Sequence, residues 1–340
     1  MARHGISRWF GALAMAAIIG ALVAGCGGQE SGPPTLTIYS GRSESLVGPI
    51  ITQFSAVTGV KVSVKYAGTP QLSATLLEEG KNTPADIFFA QDPGGLGAVE
   101  SMLAPLTPQV LERVPEWARD SQGRWVGLSG RARTIVYNSQ KLSKKDLPDD
   151  IYDLTRPEWR GRVGWAPTNA SFQTMVTAMR VLWGEDKTLQ WLQGMQANSP
   201  KTYSGNGPAV VAVADGEVDV ALVNHYYIYP LLAERGPSFP VRNYHPKAGG
   251  PGALVMVAGA GVLQTSKNQA NAEKFLEFML SPVAQQFFAA QTYEYPLVDG
   301  VKVHPDLTPL KDIKSPAIGL AQLADLKGTE ALLRRANVIP

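Results

Sequence analysis

The segment Asn224-His225-Tyr226-Tyr227-Ile228-Tyr229 is the most chemically unusual stretch of this 340-residue chain, with three of its 11 tyrosines inside four residues. A phenol titrates near 10 in water, and a highly charged metal ion strongly lowers the pKa of a ligand bound to it. Phenolate is a hard, anionic oxygen. It suits Fe³⁺ by the same logic that sends carboxylates to Mg²⁺ and thiolates to Cu⁺. Adjacent phenols directly after a buried strand could therefore present two oxygens to a ferric ion. The competing reading is aromatic packing at a helix start, a common use of Tyr, and periodicity cannot separate the two. His225 lies between candidate site residues and reads as a structural or outer partner, because one strand-to-helix turn can aim only some of its side chains outward. His245-Pro246 sits in a loop with no partner at metal spacing. The chain carries no nucleophile elbow, Walker loop, HExxH motif or GxGxxG at a strand end, so an enzyme is not expected.

Such corners need strands and helices to hold them. Thr35 to Tyr39 reads as a strand, followed by a helix with Leu46, Val47, Ile50, Ile51 and Phe54 on one face and a stop at Gly59. Val60, Val62, Val64 and Tyr66 alternate as in a strand. Leu72, Leu76 and Leu77 are expected on one face of a helix ending at Gly80, and Asp86 to Ala90 is a buried strand. A second set follows Thr134-Ile135-Val136-Tyr137. It has a strand at Arg162 to Ala166, a helix from Asn169 through Leu182, and a helix at Pro208 to Asp215. A strand at Val218 to Val223 and a helix at Tyr226 to Glu234 come next, with Pro230 in the helix's first turn. Leu254 to Ala258 is a strand and Asn271 to Leu280 an amphipathic helix. This alternation predicts βαβ units and a mostly parallel sheet. Open α/β sheets bind ligands beyond the carboxyl ends of their strands, so the corners to search are Ser40 to Ser43, Ala90 to Asp92, Thr168 to Ser171, and Asn224 to Tyr227.

Length predicts two domains. Hydrophobic residues at 44% and charged residues at 18% fit a folded globular protein, and a net charge of +2 is no nucleic-acid footprint. The single Cys excludes a disulfide framework or a CxxC site. Residues 1–25 read as an export signal: Arg3 and Arg8 precede an uncharged run from Trp9 to Val23, short of a membrane span. Leu22-Val23-Ala24-Gly25-Cys26 resembles the bacterial lipobox, whose Cys is lipidated, and residues 26–34 read as a lipid-anchored tether. The expected location is the extracytoplasmic face of the cell membrane. Two α/β lobes on such a chain suggest a solute-binding protein.

Along nearly the whole mature chain the sequence resembles the ferric-iron-binding, transferrin-like proteins of bacterial ABC importers. The resemblance is carried by Leu36 to Arg42, Gly80 to Phe89, Leu128 to Arg133, Tyr137-Asn138 and Asn206 to Ala209. Gly216 to Asp219, Asn224 to Tyr227, Pro251 to Leu254 and Glu294 to Leu297 also carry it. It implies a two-lobed periplasmic-binding-protein fold of type II, with mixed, mostly parallel sheets and a hinge. The expected lobes are 35–134 with 250–300, and 135–249 with 301–340. The family's paired tyrosine ligands fall on Tyr226 and Tyr227. The His and Glu that many members add fall on Ser43 and Gln91, neither a good ferric ligand. Another branch uses a third tyrosine and an anion; that tyrosine falls on Tyr137. Asp92 is a possible substitute carboxylate, but its place before Pro93 suits a helix N-cap better.

The resemblance further implies a synergistic anion such as carbonate or phosphate. Asn169, Ala170 and Ser171, where a strand yields to a helix, offer free N–H groups as a seat for it. Asn206 and Asn224 resemble family anion contacts. Arg42, Arg131 and Arg133 could add positive charge, although the usual fate of Arg is a solvated surface; on a strand Arg131 and Arg133 share a face. The expectation is thus a monomeric lipoprotein that binds ferric iron by hinge closure and delivers it to an ABC permease and its ATPase, without binding nucleic acid. The alternatives are a binding protein for a phosphonate, polyamine or sugar, and an exported α/β hydrolase.

Overall fold

Short apolar runs cut by glycine and proline make this chain alternate between strand and helix from its first described residue. The computed structural model describes residues 34–340, so the signal segment and Cys26 lie outside the described residues. The order begins β1 (Thr35–Ser40), α1 (Glu44–Thr58), β2 (Lys61–Tyr66), α2 (Thr69–Glu79), β3 (Ile87–Ala90), α3 (Pro93–Ala98) and α4 (Pro108–Leu111). The long strand β4 (Val126–Asn138) leads into β5 (Val163–Trp165), α5 (Ala170–Trp183), α6 (Glu185–Ala197), β6 (Lys201–Thr202), α7 (Asn206–Ala214) and β7 (Val220–Asn224). Then come α8 (Ile228–Arg235), β8 (Val241–Tyr244), β9 (Val255–Val262), α9 (Gln269–Met279), α10 (Pro282–Gln291) and α11 (Leu326–Arg335).

Helix α1 buries Val47, Ile50, Ile51 and Phe54 as its periodicity requires, and ends at Gly59, whose φ of 72° is the left-handed conformation glycine adopts without strain. Helix α2 corrects one expectation. Leu72 and Leu76 are buried, but Leu77 is 55% exposed. One residue advances a helix by about 100°, so Leu77 leaves the face that a four-residue spacing keeps.

The strands of the described residues form one sheet in the order β2-β1-β3-β9-β4-β7-β5-β6, with β8 also paired to β4. Parallel pairing joins β1 to β2 and β3, and β5 to β6 and β7, as βαβ crossovers demand. The strands that connect these two groups run antiparallel: β9 against β3 and β4, and β4 against β7 and β8. Strand β4 changes partner along its length. Val126 to Ala132 pairs with β9, across a register shift between Gly127 and Ser129, and Arg133 to Tyr137 pairs with β7. All 13 of its residues are buried.

Three cores flank this sheet. One gathers Phe54, Phe88, Phe89 and Phe275 around β1, β3 and β9. A second packs Trp165, Phe172 and Trp191 against Ile135 and Tyr137. The third lies under α7 and α8, with Val136, Val210, Val223 and Phe239. No helix among the described residues is long and apolar enough to cross a membrane.

Candidate metal and anion centre

At the end of β7 the chain leaves the sheet at Asn224 and makes one 3₁₀ turn, His225–Tyr227, before α8 begins. That turn sends His225 inward. Its Nδ1 accepts the Ala132 N–H at 3.1 Å, so its Nε2 carries the proton and donates to the Tyr293 carbonyl at 2.9 Å. Burial, aided by His245, pushes its pKa down to about 3, which keeps the ring neutral. His225 is thus a structural partner, as expected.

The next two rings stack on each other, centroids 4.5 Å apart and planes 27° from parallel. Tyr226 is 1% exposed, whereas Tyr227 keeps part of its surface in solvent. The Tyr226 phenol oxygen accepts from Arg42 Nη1 at 3.1 Å, and the Arg42 and Arg131 guanidiniums lie 5.5 and 5.8 Å from its ring centroid. Burial opposes ionisation of Tyr226, but Arg42 and Arg131 more than offset it and hold the phenol below its ordinary 10. Tyr227 moves the other way, raised by burial and by the charge on Tyr226.

All three arginines are buried, against the solvated fate usual for Arg. Glu294 makes this possible for Arg42 and Arg131. Its carboxylate accepts from Arg42 Nη2 at 2.6 Å, Arg131 Nη2 at 2.7 Å, and the Ser129 and Thr292 hydroxyls at 3.0 Å. Burial works against its charge, yet these partners hold the carboxyl below its usual range. Arg131 Nη1 also donates to the Gln91 carbonyl. Arg133 Nη1 donates to Asn224 Oδ1 at 3.0 Å, and Asn224 Nδ2 donates to Ser171 Oγ at 2.9 Å. Asn169 Oδ1 caps α5 by accepting the Ser171 N–H, and accepts from Asn206 Nδ2 at 3.2 Å. Ala170, the first residue of α5, is buried in the same corner. Nε and Nη2 of Arg133 are buried without a partner, and burial lowers its pKa to about 9. Unused buried donors beside a helix N-terminus fit an oxyanion.

Arg42, Arg131, Arg133, Asn169, Ala170, Ser171, Asn206, Asn224, Tyr226 and Tyr227 therefore converge, through contacts between residues up to 184 positions apart. Tyr137 does not join them, which corrects its expected role as a ligand. It pairs with Val220 on β7, four residues beyond the Arg133–Asn224 pair, about 13 Å along the strand. Its ring belongs to the Trp165 core. Ser43 is exposed at the start of α1, and its hydroxyl pairs with that of Ser45. Asp92 is the N-cap of α3, accepting from the Gly95 N–H and the Thr174 hydroxyl, and burial raises its pKa. Sequence reasoning gave no role to Glu294. The signal was available: arginines facing an apolar corner need a buried acid, and Glu294 stands in one of the motifs quoted above. Among the described residues no group of three His, Cys, Asp or Glu side chains is set to hold a metal.

The family model for bacterial extracellular solute-binding proteins matches residues 82–319. An Fe(3+)-binding periplasmic protein of Serratia marcescens is 36% identical over 301 residues, covering 87% of this chain and 89% of the relative. The major ferric iron-binding protein of Neisseria meningitidis serogroup B is 33% identical over 315 residues, covering 89% and 93%. Among solved structures, iron-bound HitA from Pseudomonas aeruginosa superposes with a TM-score of 0.85 at 35% identity, covering 89% of this chain and 99% of that one. A Trichodesmium protein in complex with iron and citrate superposes at 0.75 with 28% identity, covering 90% and 100%. The chain belongs to the bacterial extracellular solute-binding proteins, within the group of periplasmic ferric-iron-binding proteins.

Proposed function

We propose that this protein captures ferric iron on the phenolates of Tyr226 and Tyr227 and delivers it to an ABC permease and its ATPase. The observation that carries the reading is a buried phenol, stacked on a second one, whose oxygen lies on a guanidinium that favours its ionised form. Two phenolates leave one positive charge of Fe³⁺ unbalanced and most of its coordination positions open. An oxyanion of the carbonate or phosphate kind supplies the rest, held by the uncommitted donors of Arg133 and the N-terminus of α5. In this reading the lobes 35–134 with 250–300 and 135–249 with 301–340 close on the cargo, and the protein does no chemistry on it. The partner change of β4 at Ala132 and Arg133 supports a boundary near there. Cys26 is the proposed lipid attachment; Cys26→Ser should then release the protein from the membrane fraction.

Titration of the purified protein with ferric citrate tests the assignment. A visible phenolate-to-iron absorption band should grow to one equivalent and fade on acidification, because protons compete for the ligands. The excess of guanidinium charge favours one other reading, an oxyanion solute without metal. Tight phosphate binding with no visible band under ferric citrate would replace the iron reading with that one.

A further inference from the structure

A cavity of about 860 Å³ opens beside α8, away from the tyrosine pair, and Tyr137 lines it. Its volume lies in the range of small-molecule sites, which combine apolar walls with a few convergent polar groups. One wall is aromatic. Tyr229 and Tyr293 stack with centroids 4.8 Å apart and planes 12° from parallel, and His304 packs on Tyr293 at 4.7 Å. Tyr293 holds this position with a φ of 56°, a left-handed conformation that a bulky residue adopts only when its surroundings impose it.

The polar groups are of two kinds. Arg242 and Lys144 bring positive charge, and among the described residues neither forms an ion pair. Arg242 spends three donors on the carbonyls of Pro237, Phe239 and Val241, which fixes its guanidinium and leaves Nε and one Nη2 hydrogen uncommitted. The one carboxylate of the lining, Asp306, sits beside His304. Asn243 supplies an acceptor. Its Nδ2 donates to the His225 carbonyl at 2.8 Å, which sets the orientation of the amide, and its buried Oδ1 has no partner.

We propose that this cavity is a second binding site, for a small hydroxylated aromatic carboxylate. The carboxylate answers the two cations, the ring answers the tyrosine wall, and the hydroxyl donates to Asn243 Oδ1. A bare inorganic anion would use the cations alone and leave most of the volume and the wall unfilled. The site stands independently of the iron assignment, because it shares no side chain with the Arg42, Tyr226 and Glu294 cluster.

The test is calorimetric titration of the metal-free protein with 4-hydroxybenzoate. Saturable binding to one site is expected, weakened at least about tenfold by Arg242→Met, with the ferric response of that variant unchanged. Lys144 is exposed, so Lys144→Met should fold normally and weaken binding several-fold, which keeps the proposal open to refutation if Arg242→Met is unstable. Cyclohexanecarboxylate should bind much more weakly than 4-hydroxybenzoate. Absence of binding at millimolar ligand would overturn the proposal. Equal affinity in both variants, which would move the ligand to the Arg133 anion seat, would also overturn it, and so would equal affinity for the two carboxylates.

Discussion

Tyr226 and Tyr137 are both tyrosines shielded from water, at 1% and 5% exposure, yet the fold treats their oxygens in opposite ways. Burial pushes both pKa values up. At Tyr226 two guanidiniums reverse the direction; at Tyr137 the single influence of Arg242 does not, and the phenol stays above its ordinary value. The side chain is the same, so the surroundings decide which phenol ionises more readily. Those surroundings are costly, since each buried charge loses several kcal/mol of hydration unless it is paired. Glu294, Asn224 and the Gln91 carbonyl meet that cost at the first site. Nothing comparable has been assembled around Tyr137.

The contrast can be broken most severely through Glu294. Glu294→Gln leaves Arg42 and Arg131 buried without their carboxylate, and should cost about 3–5 kcal/mol of stability, read from urea unfolding. The next largest effect is expected for Tyr226→Phe. It should weaken ferric binding by more than the roughly 10–100-fold that losing an outer partner costs, measured by equilibrium dialysis, while the melting temperature of the metal-free protein shifts little. Arg42→Met should raise the Tyr226 phenol, because it removes the larger of the two charges that oppose burial there. Each pKa unit removes about tenfold of the ionised fraction at neutral pH, and ultraviolet titration of phenolate would follow it.

A smaller effect concerns pH. The unfolded His225 takes up a proton near 6.5, while the folded ring does so only near 3. Between those values the unfolded state binds more protons, so stability falls as the pH falls through this window, by about 1.4 kcal/mol per pH unit from this group. Glu294 adds a loss in the same direction below its unfolded value of 4.5, as the pH falls through its lowered folded value. His225→Gln should flatten the acid limb of stability above the range where Glu294 titrates. The smallest effect should come from Tyr137→Phe, with ferric affinity within about twofold of wild type. A large loss there would return Tyr137 to the metal centre and end the comparison.

The sequence made the scaffold legible where periodicity is strict. Val47, Ile50, Ile51 and Phe54 announce α1, and the run from Ile87 to Ala90 announces a buried strand. Much of the candidate centre was legible as well, because strand-to-helix corners are readable and Asn169, Ser171, Asn206, Asn224 and Tyr226 all sit at them. The burial of Arg42, Arg131 and Arg133 was not, since the first two rest on Glu294, up to 252 residues away, and Arg133 on Asn224, and no local pattern connects these partners. The position of Tyr137 failed for a related reason. Resemblance assigns a residue type to a role, but only strand register fixes how far along β4 that residue lies from Asn224. Helices α10 and α11 went unread although their local signals are present: Ser281 caps α10 before Pro282, and Asp325 caps α11, whose Leu326, Thr329, Leu332 and Leu333 fall on one buried side.

Strand β4 gives up β9 and takes β7 between Ala132 and Arg133, and arginines stand on both sides of that exchange. Arg131 stands in the β9-paired part of β4 and is tied to Glu294, while Arg133 stands in the β7-paired part and is tied to Asn224, so two neighbouring levers, about 7 Å apart along one strand, belong to different halves of the sheet. A twist of one half against the other at this joint would change the separation of the two guanidiniums directly, with no long train of side chains between. The grip on an anion and the angle of the sheet would then be one mechanical coordinate.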